Sequence, residues 1–370
     1  MKICIVSPTL PLYFRHDETA RVGGSEVQAA FLVRALSSAG HEVTAVVADL
    51  RPDDALPCPA HNSHRSRDGV PGLRFFHPRL TGVYRALGRA DADVYYQRNA
   101  SMLTGVTALY CRRKGKLFVY GAGSDTDFWF RAARMDNFRD RCLFYMGLKL
   151  AHGVVVQNQF QKRRYLEKHR GPVRVIANGI DVTDPENTRT PDLIVWTGGI
   201  RRIKQPEIFL ELARRIPEQQ FALVGGGAGV EPAFERQIAQ ETTKIPNLTH
   251  TGHLPHTRVA EHLTRALVLV NTSRVEGFPN AYLEAWNCGV PVVTFNDVDG
   301  IIENEDLGVI CRDINHMTET VRSIVSDPER RNAMGGRGRK IVAERFSPGV
   351  LAREYVEFFE ELLKKNRESS

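Results

Sequence analysis

Short apolar runs rich in β-branched residues recur along this chain and alternate with amphipathic stretches of helical period. KICIVS (2–7), EVTAVVA (42–48), LRFF (73–76), DVYYQ (93–97), KLFVYG (116–121), GVVVQN (153–158) and VRVIANGI (173–180) read as one series of strands. GGSEVQAAFLVRALSSAGH (23–41) reads as the first long helix, with Ser25 as its N-cap and Gly40 just past its end. A second series starts at DLIVWTGG (192–199) and continues through FALVGGG (221–227), LTHTGHL (248–254), ALVLVNTS (266–273), PVVTFN (291–296) and LGVICR (307–312). Helices are expected at about 206–215 and 231–241. Apolar strands alternating with amphipathic helices imply parallel sheets covered on both faces, hence an α/β protein of two Rossmann-like domains.

The polar, proline-containing segment DVTDPENTRTPD (181–192) separates the two series and reads as a linker. Residues 1–182 are the expected first domain and 190–347 the second. FSPGVLAREYVEFFEELLKK (346–365) reads as an amphipathic helix, and the segment 348–370 is expected to cross back onto the first domain. The Pro-, His- and Arg-rich stretch 50–72 reads as a flexible loop, in which His61 and His64 are too isolated to be read as metal ligands. At 370 residues the chain exceeds the ceiling of about 250–300 for one hydrophobic core, which agrees with two domains.

Charge changes the picture more than composition does. Residues 1–180 hold 27 Lys/Arg against 15 Asp/Glu, whereas the remainder holds 23 against 28. RRKGK (112–116), RAARMDNFRDR (131–141) and QKRRYLEKHR (161–170) account for much of the surplus. A basic half is attractive to phosphates, including anionic lipid headgroups, although a solvated face without a partner reads equally well. Interleaved acids and the absence of a nucleic-acid motif argue against nucleic acid. Six scattered cysteines without a C-x-x-C pair read as free thiols of a reducing cytoplasm rather than zinc ligands or disulfides. No stretch approaches the roughly 18 apolar residues of a membrane span. The opening apolar run, stopped by Pro8, reads as a buried strand rather than a signal segment.

The chemistry concentrates in SRVEGFPNAYLEAWNCGVPVV (273–293), which follows the strand at 266–273. A helix starting near Pro279 or Asn280 would point the backbone N–H groups of Asn280, Ala281 and Tyr282 out of its N-terminus, a site suited to a diphosphate. Glu276 lies just outside that end and Glu284 one turn inside it, so the two carboxylates can reach different parts of one extended ligand. Carboxylates accept hydrogen bonds from sugar hydroxyls. A pyrophosphate between two such groups describes a nucleotide-sugar.

E-G-F-P-N-A-Y-L-E followed by A-x-x-C-G-V-P-V-V resembles the E-x7-E motif of the family 4 retaining glycosyltransferases, which have the GT-B fold. Further segments are similar to that family in order and spacing: 23–43, 151–166 with 175–181, 196–217, and 221–227 with 248–263. The resemblance covers nearly the whole chain. It implies two Rossmann-like domains whose parallel sheets face across a cleft, with the acceptor in the first domain and the donor in the second.

It also implies residue roles. Glu284 would accept the ribose hydroxyls, Glu276 would hold hydroxyls of the donor sugar, and Lys204 would contact the diphosphate. Gly23 and Gly24 would let backbone approach the donor, Gly225 and the strand end through His253 and Leu254 would meet the base, and Gly277, Phe278 and Pro279 would complete the turn at the helix tip. Two departures stand out. Gly199 occupies the position of a family arginine, so Arg201 or Arg202 is expected to supply that charge. VYGAGSDTDF (119–128) lacks the family histidine, and Asp125 or Ser124 is expected in its place.

The implied activity is retaining, metal-independent transfer of a hexose-type sugar from a UDP-sugar, or less readily a GDP-sugar, with no cofactor. The acceptor would be a glycan, a lipid-linked precursor or a small molecule, handled in the cytoplasm or at the cytoplasmic membrane face. DAD (91–93), DTD (125–127) and DVD (297–299) match metal-binding triplets by letters only. A GT-B epimerase is the nearest alternative. A dinucleotide-dependent oxidoreductase lacks the G-x-G-x-x-G spacing, and a non-enzymatic basic binding protein would leave the acid pair without a purpose.

Overall fold

The computed structural model describes residues 1–15, 22–71, 73–128, 135, 137–183, 191–226 and 231–368. Most of the expected linker, 184–190, lies outside the described residues, as do Gly227 and much of the basic run 131–141. The chain divides into two compact units: Met1–Ala20, Gly24–Gly179 and Pro348–Ser370 form the first, and Arg21–Gly23 with Ile180–Ser347 form the second.

The first unit alternates strand and helix: β1 (Lys2–Val6), α1 (Leu10–Phe14), α2 (Gly24–Ser38), β2 (Glu42–Val47), β3 (Ala60–Asn62), α3 (Thr81–Ala90), β4 (Val94–Arg98), α4 (Met102–Lys114), β5 (Leu117–Gly121), α5 (Phe138–Leu150), β6 (Gly153–Val156), α6 (Gln159–Leu166) and β7 (Val173–Val175). The strands pair in parallel in the order β3-β2-β1-β4-β5-β6-β7. Burial on both faces explains their nearly unbroken apolar sequences, and each fully buried Val, Leu or Phe contributes about 1.5–3 kcal/mol.

Local signals set the helix ends. Ser101 caps α4 by accepting a hydrogen bond from the Leu103 N–H, and Arg112, Arg113 and Lys114 fill its last turn, where cations complement the helix dipole. Part of the basic surplus is therefore a helix end rather than a docking surface. Gly40 takes the left-handed conformation expected after α2, at φ 84°. Ser25, expected as the N-cap, lies inside the first turn because Gly24 already occupies the first helical position; its Oγ donates to Glu26 Oε2 instead, at 2.9 Å.

Two expectations fail between residues 50 and 80. The stretch read as a flexible loop contains β3, which pairs with β2 at Ala45–Ala60, Val46–His61 and Val47–Asn62. It is also tied down by Arg15, whose Nε and Nη2 clamp both oxygens of Asp54 at 2.6 and 2.8 Å. Conversely LRFF is no strand. It enters an irregular helical turn, Phe75–Leu80, ahead of α3, and the strand beside β2 is β3 instead.

The second unit holds β8 (Leu193–Thr197), α7 (Pro206–Arg215), β9 (Gln220–Val224), α8 (Pro232–Thr242), β10 (Leu248–Gly252), α9 (His256–Thr264), β11 (Ala266–Asn271), α10 (Asn280–Asn287), β12 (Val292–Thr294), α11 (Ile301–Asn304), β13 (Gly308–Ile310), α12 (Ile314–Ser326) and α13 (Pro328–Arg345). Its sheet is parallel, in the order β10-β9-β8-β11-β12-β13. The last helix, α14 (Pro348–Glu368), belongs to the first unit. There Tyr355 stacks edge-on against Tyr96 of β4 at 5.5 Å, and Phe359 is fully buried. No helix among the described residues is long and apolar enough to cross a membrane.

Candidate active site

Both sheets reverse their strand order once, between β1 and β4 in the first unit and between β8 and β11 in the second. Ligands of open α/β sheets bind beyond the carboxyl ends of the strands at such a point. The loop after β8 carries Lys204, and the loop after β11 carries Glu276.

Thr272, immediately after β11, joins these loops. Its hydroxyl accepts from Trp196 Nε1 at 3.0 Å and donates to the Lys204 carbonyl at 2.7 Å. With its backbone held there, Lys204 Nζ forms an ion pair with Glu276 Oε1. Asn271 Nδ2 approaches the same oxygen at 3.5 Å, and Asn271 Oδ1 accepts from the Ser273 N–H at 2.8 Å. The pair is largely withdrawn from water: the side chains are 20% and 9% exposed. Removing either partner would leave the other charge poorly solvated.

Four residues beyond Glu276, α10 starts at Asn280, with Pro279 at the N-cap and no side-chain cap. One expectation needs correcting here. The Tyr282 N–H does not point outward; it donates to the Pro279 carbonyl at 3.2 Å, because the first turn is tight. The Tyr282 ring is fully buried, its hydroxyl meeting Thr294 Oγ1 at 2.8 Å and the Asn296 carbonyl at 3.2 Å, and burial pushes its pKa upward. Tyr282 thus anchors α10 from below, and Asn280 and Ala281 are the residues that form the tip. Phe278 is buried against Phe346, with ring centroids 5.2 Å apart, and supports the turn at Gly277–Pro279. Glu284 is half-buried one turn down, flanked by buried Leu283 and Ala285.

The ends of β8, β9 and β10 are knitted together by backbone. Gly198 N–H donates to the Val224 carbonyl at 3.1 Å, Gly225 N–H to the Gly252 carbonyl at 3.1 Å, and Ile200 N–H to the Gly226 carbonyl at 3.2 Å. Gly225 stands at φ 132°, where a Cβ would sit 2.1 Å from the Gly198 carbonyl oxygen, so only glycine fits. The Gly252 carbonyl also accepts from Thr251 Oγ1 at 3.0 Å. The carbonyl of the strand end is therefore already engaged, leaving His253 and Leu254 as the next groups along the rim.

The structure separates the two arginines near Gly199. Arg202 Cζ lies 4.5 Å from the centre of the Phe234 ring, and its N–H donates to Glu231 Oε2 at 2.8 Å. Arg201 Nε lies 3.9 Å from where a Gly199 side chain would begin.

Gly24 opens α2 of the first unit, and Gly23 directly precedes it in the chain. In the first unit, a cavity of about 210 Å³ lies where the strand order reverses, lined by Ser7, Thr9, Glu26, Gln28, Arg98 and Ser101 among others. Glu26 accepts from Thr9 Oγ1 at 2.5 Å and from Ser25 Oγ at 2.9 Å. Arg98 Nη2 donates to Asn178 Oδ1 at 2.7 Å, while its buried Nε has no hydrogen-bond partner among the described residues. Glu26 lies in the family-like segment 23–43 but was not singled out, and Arg98 lies in none of those segments. Their sequence signal is position, at the start of the first long helix and the end of β4.

Asp125 is buried, and its Oδ1 accepts from Asn158 Nδ2 at 3.1 Å and Gln161 Nε2 at 2.8 Å. Gln157 and Asn178 extend this amide network to Arg98. Asp127 accepts from Tyr120 Oη and the Gly123 N–H, both at 2.8 Å, and burial raises its pKa. The other triplets have structural uses too: Asp91 pairs with Lys116, Asp93 accepts from the Lys2 N–H, and Asp297 accepts from the Ile302 and Glu303 N–H groups at the start of α11. His64 Nδ1 meets Ser63 Oγ at 3.0 Å. Among the described residues no three His, Cys, Asp or Glu side chains cluster as metal ligands. The six cysteines are free, and Cys142 alone among them is exposed.

Residues 22–184 match the family model described as Glycosyltransferase Family 4, and residues 183–341 match that of Glycosyl transferases group 1. A GDP-mannose-dependent alpha-(1-6)-phosphatidylinositol monomannoside mannosyltransferase of Mycolicibacterium smegmatis is 31% identical over 140 residues, 35% of this chain and 36% of that protein. Alpha-maltose-1-phosphate synthase of the same species is 28% identical over 378 residues, 87% of this chain and 94% of that one. The chain spans less than half the length of the first curated relatives it matches, 36–45%. Among solved structures, Anabaena HepE in complex with UDP and glucose superposes with a TM-score of 0.75 at 15% identity, covering 98% of this chain and all of that one. Sucrose-phosphate synthase from Thermosynechococcus elongatus gives 0.73 at 20% identity over 98% and 99%. These likenesses show the GT-B fold, and with the two family models in tandem across residues 22–341 the chain belongs to the family 4 glycosyltransferases.

Proposed function

We propose that this chain transfers a hexose from a UDP-hexose to a hydroxyl acceptor in glycan or glycolipid assembly, with retention at the anomeric carbon. One observation carries the reading: the Lys204–Glu276 pair stands beyond β8 and β11, where the sheet order reverses, four residues before the tip of α10. The Lys204 ammonium has three donors, so it can keep Glu276 and still take a phosphate oxygen. Glu276, oriented by Lys204 and Asn271, meets hydroxyls of the donor sugar, while Glu284 takes the ribose hydroxyls and His253–Leu254 border the base. Arg201, beside Gly199, supplies the second cation.

Bond breaking between the anomeric carbon and the diphosphate oxygen leaves negative charge on the phosphates. Lys204, Arg201 and the α10 tip are fixed in advance to stabilise that charge, a role filled by side chains and dipoles rather than by a metal. The new bond forms from the acceptor oxygen on the face the diphosphate leaves, and the departing phosphate oxygen is the nearest base for the acceptor proton.

The Anabaena neighbour with UDP and glucose favours a uridine donor. The mannosyltransferase relative favours a second reading, a GDP-mannose donor. Release of UDP or GDP from a panel of UDP- and GDP-sugars, with wild type beside Lys204→Ala and Glu276→Ala, tests the proposal. Release from a UDP-hexose that collapses in both variants is expected. No release from any nucleotide-sugar, or full activity in both variants, would overturn it.

A further inference from the structure

The first unit exposes apolar side chains in one neighbourhood only partly explained by folding. Val70, Leu73 and Phe76 are 64%, 61% and 58% exposed, and Phe138, in the first turn of α5, is 74% exposed. The two segments meet: the Arg139 guanidinium lies 3.3 Å from the centre of the Phe75 ring, which stacks edge-on against Phe76 at 5.2 Å. Exposed single apolar residues are ordinary, but clustered Leu, Val and two Phe side chains mark an interaction surface.

Charge identifies the partner. Residues 65–89 hold six arginines (65, 67, 74, 79, 85 and 89) and one acid, Asp68. Arg139 and Arg141 follow Phe138, with Asp140, which pairs with Arg139 at 2.8 Å, between them. Aromatic and aliphatic tips surrounded by arginines suit the boundary between headgroups and acyl chains of an anionic bilayer. The excess of arginine over acid favours a surface of dense negative charge, as an anionic bilayer presents. This basic surface differs from the Arg112–Lys114 run, which neutralises a helix end.

We propose that the surface formed by residues 65–71, 73–79 and 138–141 docks the protein on anionic lipid membranes, with Leu73, Phe76 and Phe138 entering the interface and the arginines binding lipid phosphates. The proposal goes beyond the transferase reading and is measured without turnover, so either can fail alone.

The test is co-sedimentation of the full chain with vesicles of phosphatidylcholine alone or mixed in equal parts with phosphatidylglycerol. Binding is expected only to the mixed vesicles and should weaken with salt. Leu73→Ser/Phe76→Ser/Phe138→Ser and Arg65→Glu/Arg67→Glu/Arg79→Glu should each reduce binding by about tenfold or more, with unchanged thermal midpoints. Soluble glycerol phosphate should not compete, which separates a lipid surface from a free-phosphate site. Failure to bind the mixed vesicles, equal binding by both variants, or apolar substitutions that only disperse a dimer in gel filtration would overturn the proposal.

Discussion

Lys204 and Glu276, 72 residues apart in the chain, form a direct ion pair at the point where the second sheet reverses its order. The lysine is thereby held in place before any ligand arrives, which is the preorganisation that charge stabilisation requires. Because the two groups act on each other, their substitutions should not add. Lys204→Ala should lower turnover by about 10²–10³, equivalent to about 2.7–4 kcal/mol. Glu276→Ala alone should also reduce it, and the double variant should lose less than the sum, with a coupling of about 0.5–3 kcal/mol. A steady-state cycle over the four proteins measures this, and strict additivity would rule out the mutual orientation.

Thr272 acts through Lys204 rather than on the donor. Thr272→Val keeps the shape but leaves Trp196 Nε1 and the Lys204 carbonyl unpaired, at a cost of about 1–3 kcal/mol. The expected signature is a lower thermal midpoint together with a raised KM for the donor; Thr272→Ser should restore both. A lowered midpoint without any change in KM would make Thr272 a packing residue only.

Arg201 and Arg202 should behave differently despite being neighbours. Arg201→Ala should impair donor binding and turnover. Arg202→Ala should cost about 0.5–1 kcal/mol of stability through loss of the Phe234 contact and leave the donor KM unchanged. The reverse pattern would assign the missing family charge to Arg202.

Acid sensitivity of the first unit should trace to Arg15 and Asp54. The Arg15 guanidinium holds the Asp54 carboxyl below the usual carboxylate range. A depressed carboxyl pKa contributes stability that is fully present above the unfolded value of about 4 and lost as pH falls through the folded value. Asp54→Asn should therefore destabilise by about 3 kcal/mol at neutral pH, where it strands the arginine, and the difference from wild type should shrink below about pH 4. Thermal midpoints of both proteins across that range provide the check.

Much of this molecule was legible along the chain because period and punctuation are local. Pro206 opens α7 and the helix ends at Arg215, as its pattern predicts, and the apolar runs at 193–197 and 266–271 become fully covered central strands. Acidic and proline spacing likewise placed Glu276, Asn280 and Glu284 around one helix start. Three residues, Ala60–Asn62, could not announce β3, since a short edge strand with His and Asn exists only through its pairing with β2. LRFF has strand-like composition, yet it leads into the helical turn ahead of α3, and its Leu73 and Phe76 side chains are exposed.

What the sequence by itself determined is the succession of strands and helices and the residue types gathered at each strand end, because both follow from hydrophobic period and backbone stereochemistry. Only the tertiary structure decided which of those groups touch. Lys204 reaches Glu276 because Trp196 and Thr272 pull two distant loops together. Tyr282 lost its place at the helix tip because its N–H closes a tight turn on Pro279. Contacts of that kind depend on sheet order and loop closure, which are global properties that no local pattern encodes.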